Sequence, residues 1–486
     1  MSKLLQRAYS PENFKNTGHH LIDMLSKHIG QVFDEDLNKV INWSEPEPSL
    51  SFWKEFLEKG KSEALFEEVL KRSTHLHHPK YIGHQVGPAA PITLLTSMIS
   101  AVLNNGTAVY EMGMVTNPME RIITRLLCDK IGYNENSSGF LTSGGTLANL
   151  TALLSARKAK VATDVWNDGH TKPLGIMVSE EAHYCIERAA KIMGLGEKGL
   201  IKIPAKADFS MDVSALETEY SKASEAGIKI FAIVGSAPVT ATGILDDLEA
   251  IGSFARKHKL WHHVDAAHGG GALFSSKYKQ ALHGIDKSDS VVIDGHKMMM
   301  MPGITTALVY RDSKTSNATF SQKADYLLED SSEADWYNSG KRTFECTKNM
   351  MALHWFSLLK TYGEELFDEY VTNLYDLGGV FGEMIRNEEG FELAVTPMTN
   401  IVCFRYIPNN EGLNDEQLNS LNKLIRQYLL EDGEFYIVQT TLRGIHYLRT
   451  TIMNPFTTKD HLKKLLTKIR EIALAIPPLK GESLPH

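Results

Sequence analysis

The chain is poor in cysteine and has no cysteine pair. Cys128, Cys185, Cys346 and Cys403 are scattered over 486 residues without a C-x-x-C spacing. That excludes a disulfide framework and a cysteine zinc centre, and fits a reducing, cytoplasmic compartment. There is no basic excess either: 51 Lys and Arg against 59 Asp and Glu give a net charge of −8. Nucleic acid is therefore not an expected partner. Long apolar runs are missing too. The most apolar stretch, Pro91 to Leu103, is broken by Thr93, Thr96, Ser97 and Ser100. A bilayer-spanning helix needs about 20 apolar residues, so this segment reads as a buried helix and no membrane partner is expected. The first residues, Met1 to Arg7, lack the apolar core of a signal peptide. Internal repeats, low-complexity tracts and the P-loop of nucleoside triphosphatases are absent as well.

What is present is a globular composition, 43 % hydrophobic and 23 % charged, in a chain long enough for more than one domain. Residues 1–75 read as a helical arm. Leu21, Met24, Leu25 and His28 fall at helical spacing, as do Phe52, Phe56, Leu65, Phe66 and Val69. From 76 to 365 short apolar strands alternate with helices: Gly175–Val178, Ile228–Val234, Leu260–Val264 and Ser290–Ile293, with a helix over Leu245–His258. That pattern predicts a large α/β domain with a mainly parallel sheet, whose ligands sit at the carboxyl ends of the strands. Residues 366–486 predict a small α+β domain, with antiparallel strands at Val402–Tyr406 and Gly444–Arg449.

Four strand-end features carry the chemistry. Lys297 follows the strand Ser290–Ile293 through Asp294-Gly295-His296 and enters the run Met298–Met301. Poor hydration there predicts a lysine of lowered pKa, usable as an amine nucleophile. Thr142-Ser143-Gly144-Gly145-Thr146 precedes an apolar helix, Leu150–Ala159; small residues, hydroxyls and a helix start form a phosphate site or, equally, a capped turn. His183 follows the strand ending at Val178, where it can stack on a flat ligand or move protons. Asp265 ends the strand through Val264, with Ala266 and Ala267 leaving space beside it. His262 and His263 point to opposite faces of that strand, so they form no metal site.

Together these features match one cofactor, pyridoxal 5'-phosphate: a dianionic phosphate, a ring face, a ring nitrogen wanting an acidic partner and an aldehyde wanting a lysine. An ionised Asp265 would keep the ring nitrogen protonated and make the ring an electron sink.

On Thr142–Thr146, His183, Val264–His268 and Asp294–Met298 the chain resembles the group II pyridoxal-phosphate-dependent amino-acid decarboxylases, which include glutamate, aromatic amino-acid, cysteine sulfinate, histidine and 2,4-diaminobutyrate decarboxylases. The resemblance extends over His78-Pro79-Lys80-Tyr81, Tyr110-Glu111, Gly340-Lys341-Arg342, Leu448-Arg449 and Asn454-Pro455. It implies the aspartate-aminotransferase type of fold (fold type I), a sheet of the seven-stranded kind, and a homodimer with the active site at the subunit interface. It implies Lys297 as the Schiff-base lysine, Asp265 as the ring-nitrogen partner, and His183 and Ala267 on the two ring faces. Ser143, Gly144, Gly145, Thr146 and His296 are assigned to the phosphate, and Thr240 to the cofactor set. Asp294 stands where relatives often carry Asn; a carboxylate would repel a phosphate, so it is expected to point elsewhere.

After Arg311 the sequence is polar and aperiodic, from Asp312 to Asn317 and on through Gln322 to Leu327. The resemblance implies a mobile loop here, with Tyr326 as a catalytic residue over its own or the partner's site. The expected reaction is α-decarboxylation of an L-amino acid, with Tyr326 or His183 returning the proton. Transamination or carbon–carbon lyase chemistry on the same fold, or an inactive cofactor-binding homologue, are the alternatives. Tyr81 and His84 are expected to line the substrate's side chain. Tyr81 with His84 points to diaminobutyrate, Tyr110-Glu111 to an acidic substrate, and an aromatic one also fits a polar pocket.

Overall fold

The computed structural model describes residues 2–320, 336–408 and 412–477. They form two compact units: the described residues within 85–379 with 395–402, and those within 1–84, 380–394 and 403–486.

The unit formed by 85–379 and 395–402 is built on a seven-stranded sheet. Its strands are β1 (Ser138–Thr142), β2 (Leu174–Ser179), β3 (Leu200–Ile203), β4 (Lys229–Ser236), β5 (Trp261–Asp265), β6 (Ser290–Asp294) and β7 (Thr306–Tyr310), in the order β1-β7-β6-β5-β4-β2-β3. From β3 to β6 every pairing is parallel; β7 is antiparallel to both β6 and β1. The apolar runs read from the sequence are these parallel strands. They are buried almost throughout because the sheet is covered on both faces. Alternate residues divide between two cores. Ile176 and Val178 join Phe140, Ala152 and Ile186 on one side, while Met177 joins Ile201, Ile233 and Phe254 on the other.

Three elements differ from the sequence reading. Ser138–Thr142 is a strand, and the phosphate loop is the turn from it into the helix Gly145–Lys160. Part of the aperiodic stretch, Ser313–Thr319, is a helix capped by Asp312, whose side chain accepts from the Lys314 amide. Pro91–Leu103 is a helix, but not a buried one. Its inward residues are Thr93 and Thr96, and Thr96 Oγ1 lies 2.7 Å from His354 Nδ1. Leu95, Met98, Ile99, Val102 and Leu103 are exposed, Val102 by 66 %. The polar residues that broke the apolar run are the ones facing the protein, so the amphipathic sense of this helix is inverted.

In the other unit the arm carries the helices Lys3–Ala8, Pro11–Phe33, Pro46–Lys59 and Leu65–Arg72. Prolines at the first turn and the Ser10 side chain, which accepts from the Asn13 amide, start these helices where no intrahelical donor is lost. A four-stranded sheet follows, in the order β10-β11-β9-β8, from β8 (Phe391–Leu393), β9 (Ile401–Tyr406), β10 (Val438–Leu442) and β11 (Ile445–Thr451). The β8–β9 and β10–β11 pairs are antiparallel. Capping boxes at Asn414/Gln417 and Thr458/His461 open the helices Asp415–Asp432 and Lys459–Ala475. Among the described residues no helix is long and apolar enough to cross a membrane.

Candidate active site

The carboxyl ends of β4, β5 and β6 lie side by side, with Ser236 in register with Asp265. The turns after β1 and β2 reach the same end. A cavity of about 380 Å³ opens there. Ser143, Gly144, Gly145 and Thr146 line it from the turn after β1, and His183 from the turn after β2. Thr240, Asp265, Ala267, His296 and Lys297 complete the set read from the sequence. All ten residues meet in one cavity.

The glycines are needed where they stand. Gly144 has φ +99°, where an L side chain is strained. A Cβ on Gly145 would come within 3.2 Å of Asp294 Oδ2 and 3.5 Å of the Ala267 Cβ. Gly144 is the N-cap of the helix Gly145–Lys160 and offers no side-chain acceptor, so the first amides of a 16-residue helix face a ligand uncapped. That donor set suits a phosphate. The hydroxyls of Thr142 and Ser143 are already donated to the Glu345 carboxylate, which also accepts from the Ser143 amide at 3.4 Å.

Asp294 does not point elsewhere. It is 2 % exposed, accepts from Thr306 Oγ1 at 2.6 Å, and its Oδ2 lies 3.0 Å from Lys297 Nζ and 3.6 Å from His296 Nε2. The expectation of a depressed Lys297 therefore reverses. Burial by itself lowers its pKa, but the nearby carboxylates of Asp294 and Asp265 outweigh burial and leave it raised. His296 is held from its other edge, where Nδ1 lies 2.9 Å from the Thr305 carbonyl oxygen and 3.2 Å from the Thr305 amide nitrogen.

His183 caps the helix Tyr184–Ile192, its Nδ1 accepting from the Cys185 amide at 3.4 Å. Burial outweighs the opposing Asp265 carboxylate and, with the Lys297 charge, holds its pKa below the usual histidine value, so the ring is neutral near pH 7 with its proton on Nε2. Asp265 is oriented from two sides, by the Ala267 amide at 3.2 Å to Oδ1 and by Asn149 Nδ2 at 3.0 Å to Oδ2. His183, Cys185 and Asp265 offer ligand atoms within 4.8 Å of one another. Burial raises the Cys185 thiol above its ordinary value.

Tyr326 lies outside the described residues. Tyr81 and His84 belong to the other unit, where Tyr81 stacks on Tyr436 at 5.3 Å and His84 sits 5.8 Å from the same ring. Sequence reasoning missed Asn149, Cys185, Ser236, Pro238, His268 and Ile304, and set Asp294 aside; all seven line the cavity. Asn149 was within reach, one helical turn after Thr146 on the helix that opens at the phosphate turn.

A glycine turn opening an uncapped helix, a half-buried lysine and a strand-end aspartate on a mainly parallel seven-stranded sheet suit a pyridoxal-phosphate enzyme. The chain belongs to the pyridoxal-dependent decarboxylases: residues 63–407 match that family's conserved domain. It is similar to the aspartate 1-decarboxylase of Aliivibrio fischeri, with 27 % identity over 93 % of this chain and 91 % of the relative. It is also similar to the L-2,4-diaminobutyrate decarboxylase of Acinetobacter baumannii, with 28 % identity over 83 % of this chain and 82 % of that one. Among solved structures, the glutamate decarboxylase domain of diaminobutyrate-pyruvate transaminase and L-2,4-diaminobutyrate decarboxylase from Vibrio parahaemolyticus superposes with a TM-score of 0.80. Identity is 26 %, covering 94 % of this chain and 96 % of that one. The cofactor is pyridoxal phosphate, and the reaction is carboxy-lyase chemistry on an amino acid.

Proposed function

We propose that Lys297 is the amine that holds the cofactor and that an acidic L-amino acid is decarboxylated there. The observation that carries the site assignment is convergence: Lys297, Asp265, His183 and the uncapped helix start at Gly145 line one cavity. Bound pyridoxal phosphate supplies an aldehyde for a primary amine and a conjugated ring that accepts the electron pair left as carbon dioxide departs. The amides of Gly145 and Thr146, the Thr146 hydroxyl and His296 would hold its phosphate, and Ser143 would join them once released from Glu345. Asp265 would hold the proton of the ring nitrogen, His183 and Ala267 would bracket the ring, and Thr240 would border it.

The chain's own groups then manage protons. Asp294 holds the Lys297 ammonium in place and must release it as a free amine before Lys297 can act as a nucleophile. His183, neutral with a proton on Nε2, would return a proton to the substrate carbon; Tyr326 is the alternative donor.

The substrate reading rests on the relatives: the Aliivibrio protein is named an aspartate 1-decarboxylase, which supports a side-chain carboxylate on the substrate. The residue pair Tyr81 and His84, like the Acinetobacter relative, supports diaminobutyrate as the second reading. Carbon dioxide release from L-aspartate, L-glutamate, L-cysteine sulfinate, 2,4-diaminobutyrate and the aromatic amino acids decides between them. Diaminobutyrate turning over fastest would overturn the acidic reading.

A homodimer is part of the proposal. The exposed row Leu95, Met98, Ile99, Val102 and Leu103 is a contiguous apolar helix face. Such a surface suits a subunit contact better than open water.

A further inference from the structure

Behind Asp265 runs a chain of buried side chains that ends on its carboxylate. Trp261, His263 and Asp265 alternate along β5 and share one face of the sheet. Ser290, the first residue of β6, is paired with His263 across the strands. Trp261 Nε1 donates to Ser290 Oγ at 2.8 Å, and Ser290 Oγ lies 2.8 Å from His263 Nδ1. His263 Nε2 lies 2.7 Å from Asn149 Oδ1, and Asn149 Nδ2 lies 3.0 Å from Asp265 Oδ2. Asn149, His263 and Ser290 are at most 1 % exposed.

The direction of every proton in this chain is fixed by its two ends. An indole N–H only donates, and a carboxylate only accepts. Asn149 therefore turns its amide NH2 to Asp265 and its carbonyl to His263, so His263 Nε2 must carry a proton. Burial pushes His263 down to about 4, so near neutral pH it has one ring proton, and that proton is on Nε2. Nδ1 is then a bare acceptor, and the Ser290 hydroxyl fills it while accepting from Trp261. Each link is satisfied in one orientation only. Turned over, Asn149 would set its carbonyl against the Asp265 carboxylate and its NH2 against a nitrogen that already bears a proton.

We infer that His263 is a positioning residue that fixes the orientation of Asn149 and, through it, holds the Asp265 carboxylate toward the cofactor's ring nitrogen. The inference rests on the role proposed for Asp265. It assigns work to Trp261, Ser290 and His263, none of which lines the cavity. A fully satisfied buried network of this kind rigidifies the group at its end.

A double-mutant cycle tests it, read as the dissociation constant of pyridoxal phosphate from the full-length protein, titrated by absorbance at pH 7.5. His263→Leu removes the Nε2 donor and is expected to weaken cofactor binding about tenfold, the size usual for coupled buried neighbours. His263→Gln, whose amide can donate from the same place, should restore affinity to within about threefold. In an Asp265→Asn background, His263→Leu should have no further effect, because the carboxylate it serves is gone. If His263→Leu costs as much in that background as in the wild type, the side chain is merely structural and the inference fails. If Asp265→Asn alone leaves cofactor affinity unchanged, the reading of Asp265 fails first, and the inference goes with it. Should His263→Leu not fold, Ser290→Ala, which removes the donor to Nδ1 with little change in volume, takes its place in the same cycle.

Discussion

Lys297 Nζ is 3.0 Å from Asp294 Oδ2, three residues earlier in the chain, and that pair sets the protonation state of the lysine. The carboxylate raises the lysine pKa against the opposing effect of burial, so the cofactor-free protein presents an ammonium. Asp294→Asn keeps the shape and removes the charge. The lysine pKa should then fall, and the free amine should appear at lower pH. The rate at which the apoprotein captures pyridoxal phosphate, followed by absorbance from pH 8 to pH 12, should rise at lower pH in the variant than in the wild type, whose lysine pKa lies above the ordinary 10.5. An unmoved profile would mean that Asp294 does not control Lys297.

Lys297→Ala should leave a folded protein that cannot be covalently linked to its cofactor. Borohydride reduction followed by intact-mass measurement should add cofactor mass to the wild type and none to the variant. Retained mass on the variant would place the reactive amine on another residue.

Gly145→Ala inserts a methyl group 3.2 Å from the Asp294 carboxylate, at the first residue of the helix that opens on the cavity. Alanine is otherwise the better helix former, by about 1 kcal/mol. Thermal stability of the apoprotein should therefore change little, while the cofactor dissociation constant rises by about an order of magnitude, or 1.4 kcal/mol. Loss of stability without loss of affinity would remove Gly145 from the phosphate site.

Charge placed on the exposed apolar helix face should separate subunits. Met98→Glu with Ile99→Lys is expected to shift the protein from dimer to monomer in sedimentation velocity while circular dichroism stays unchanged. A wild-type chain that sediments as a monomer at micromolar concentration would count against the dimer.

Acid should destabilise the protein well above the range of its carboxylates. Burial holds His75, His263, His354 and His446 down to about 4, and His262 to about 3. An unfolded histidine takes up its proton near 6.5, so as pH falls below that value the unfolded chain binds protons that the folded one does not. Stability is full above about 6.5 and is lost as pH falls toward about 4, where the folded histidines also protonate. Each fully effective histidine contributes up to about 1.4 kcal/mol per pH unit. The melting temperature should fall steadily from pH 7 to pH 4.5; a flat profile over that range would contradict it.

Much of the fold was legible in the sequence because its signals are local. Strands such as Ile230–Val234 are runs of apolar residues that a sheet covered on both faces demands, and Gly144 marks a turn that only glycine makes without strain. The helix Pro91–Leu103 was legible as a helix, but its direction of burial was not. Composition says that a segment is amphipathic; which side meets the protein depends on partners such as His354, more than 250 residues away.

By itself the sequence determined which groups stand at the strand ends: Lys297, Asp265, His183 and the turn at Gly144. An apolar run followed by a polar residue is written within a few consecutive positions. Tertiary structure decided what those groups are to one another. Asn149 meets Asp265 across 116 residues and His263 across 114, and Lys297 gains rather than loses basicity because a buried carboxylate faces it. Hydrogen bonds and charge interactions act over a few ångströms of space, and no spacing along the chain specifies which residues share those ångströms.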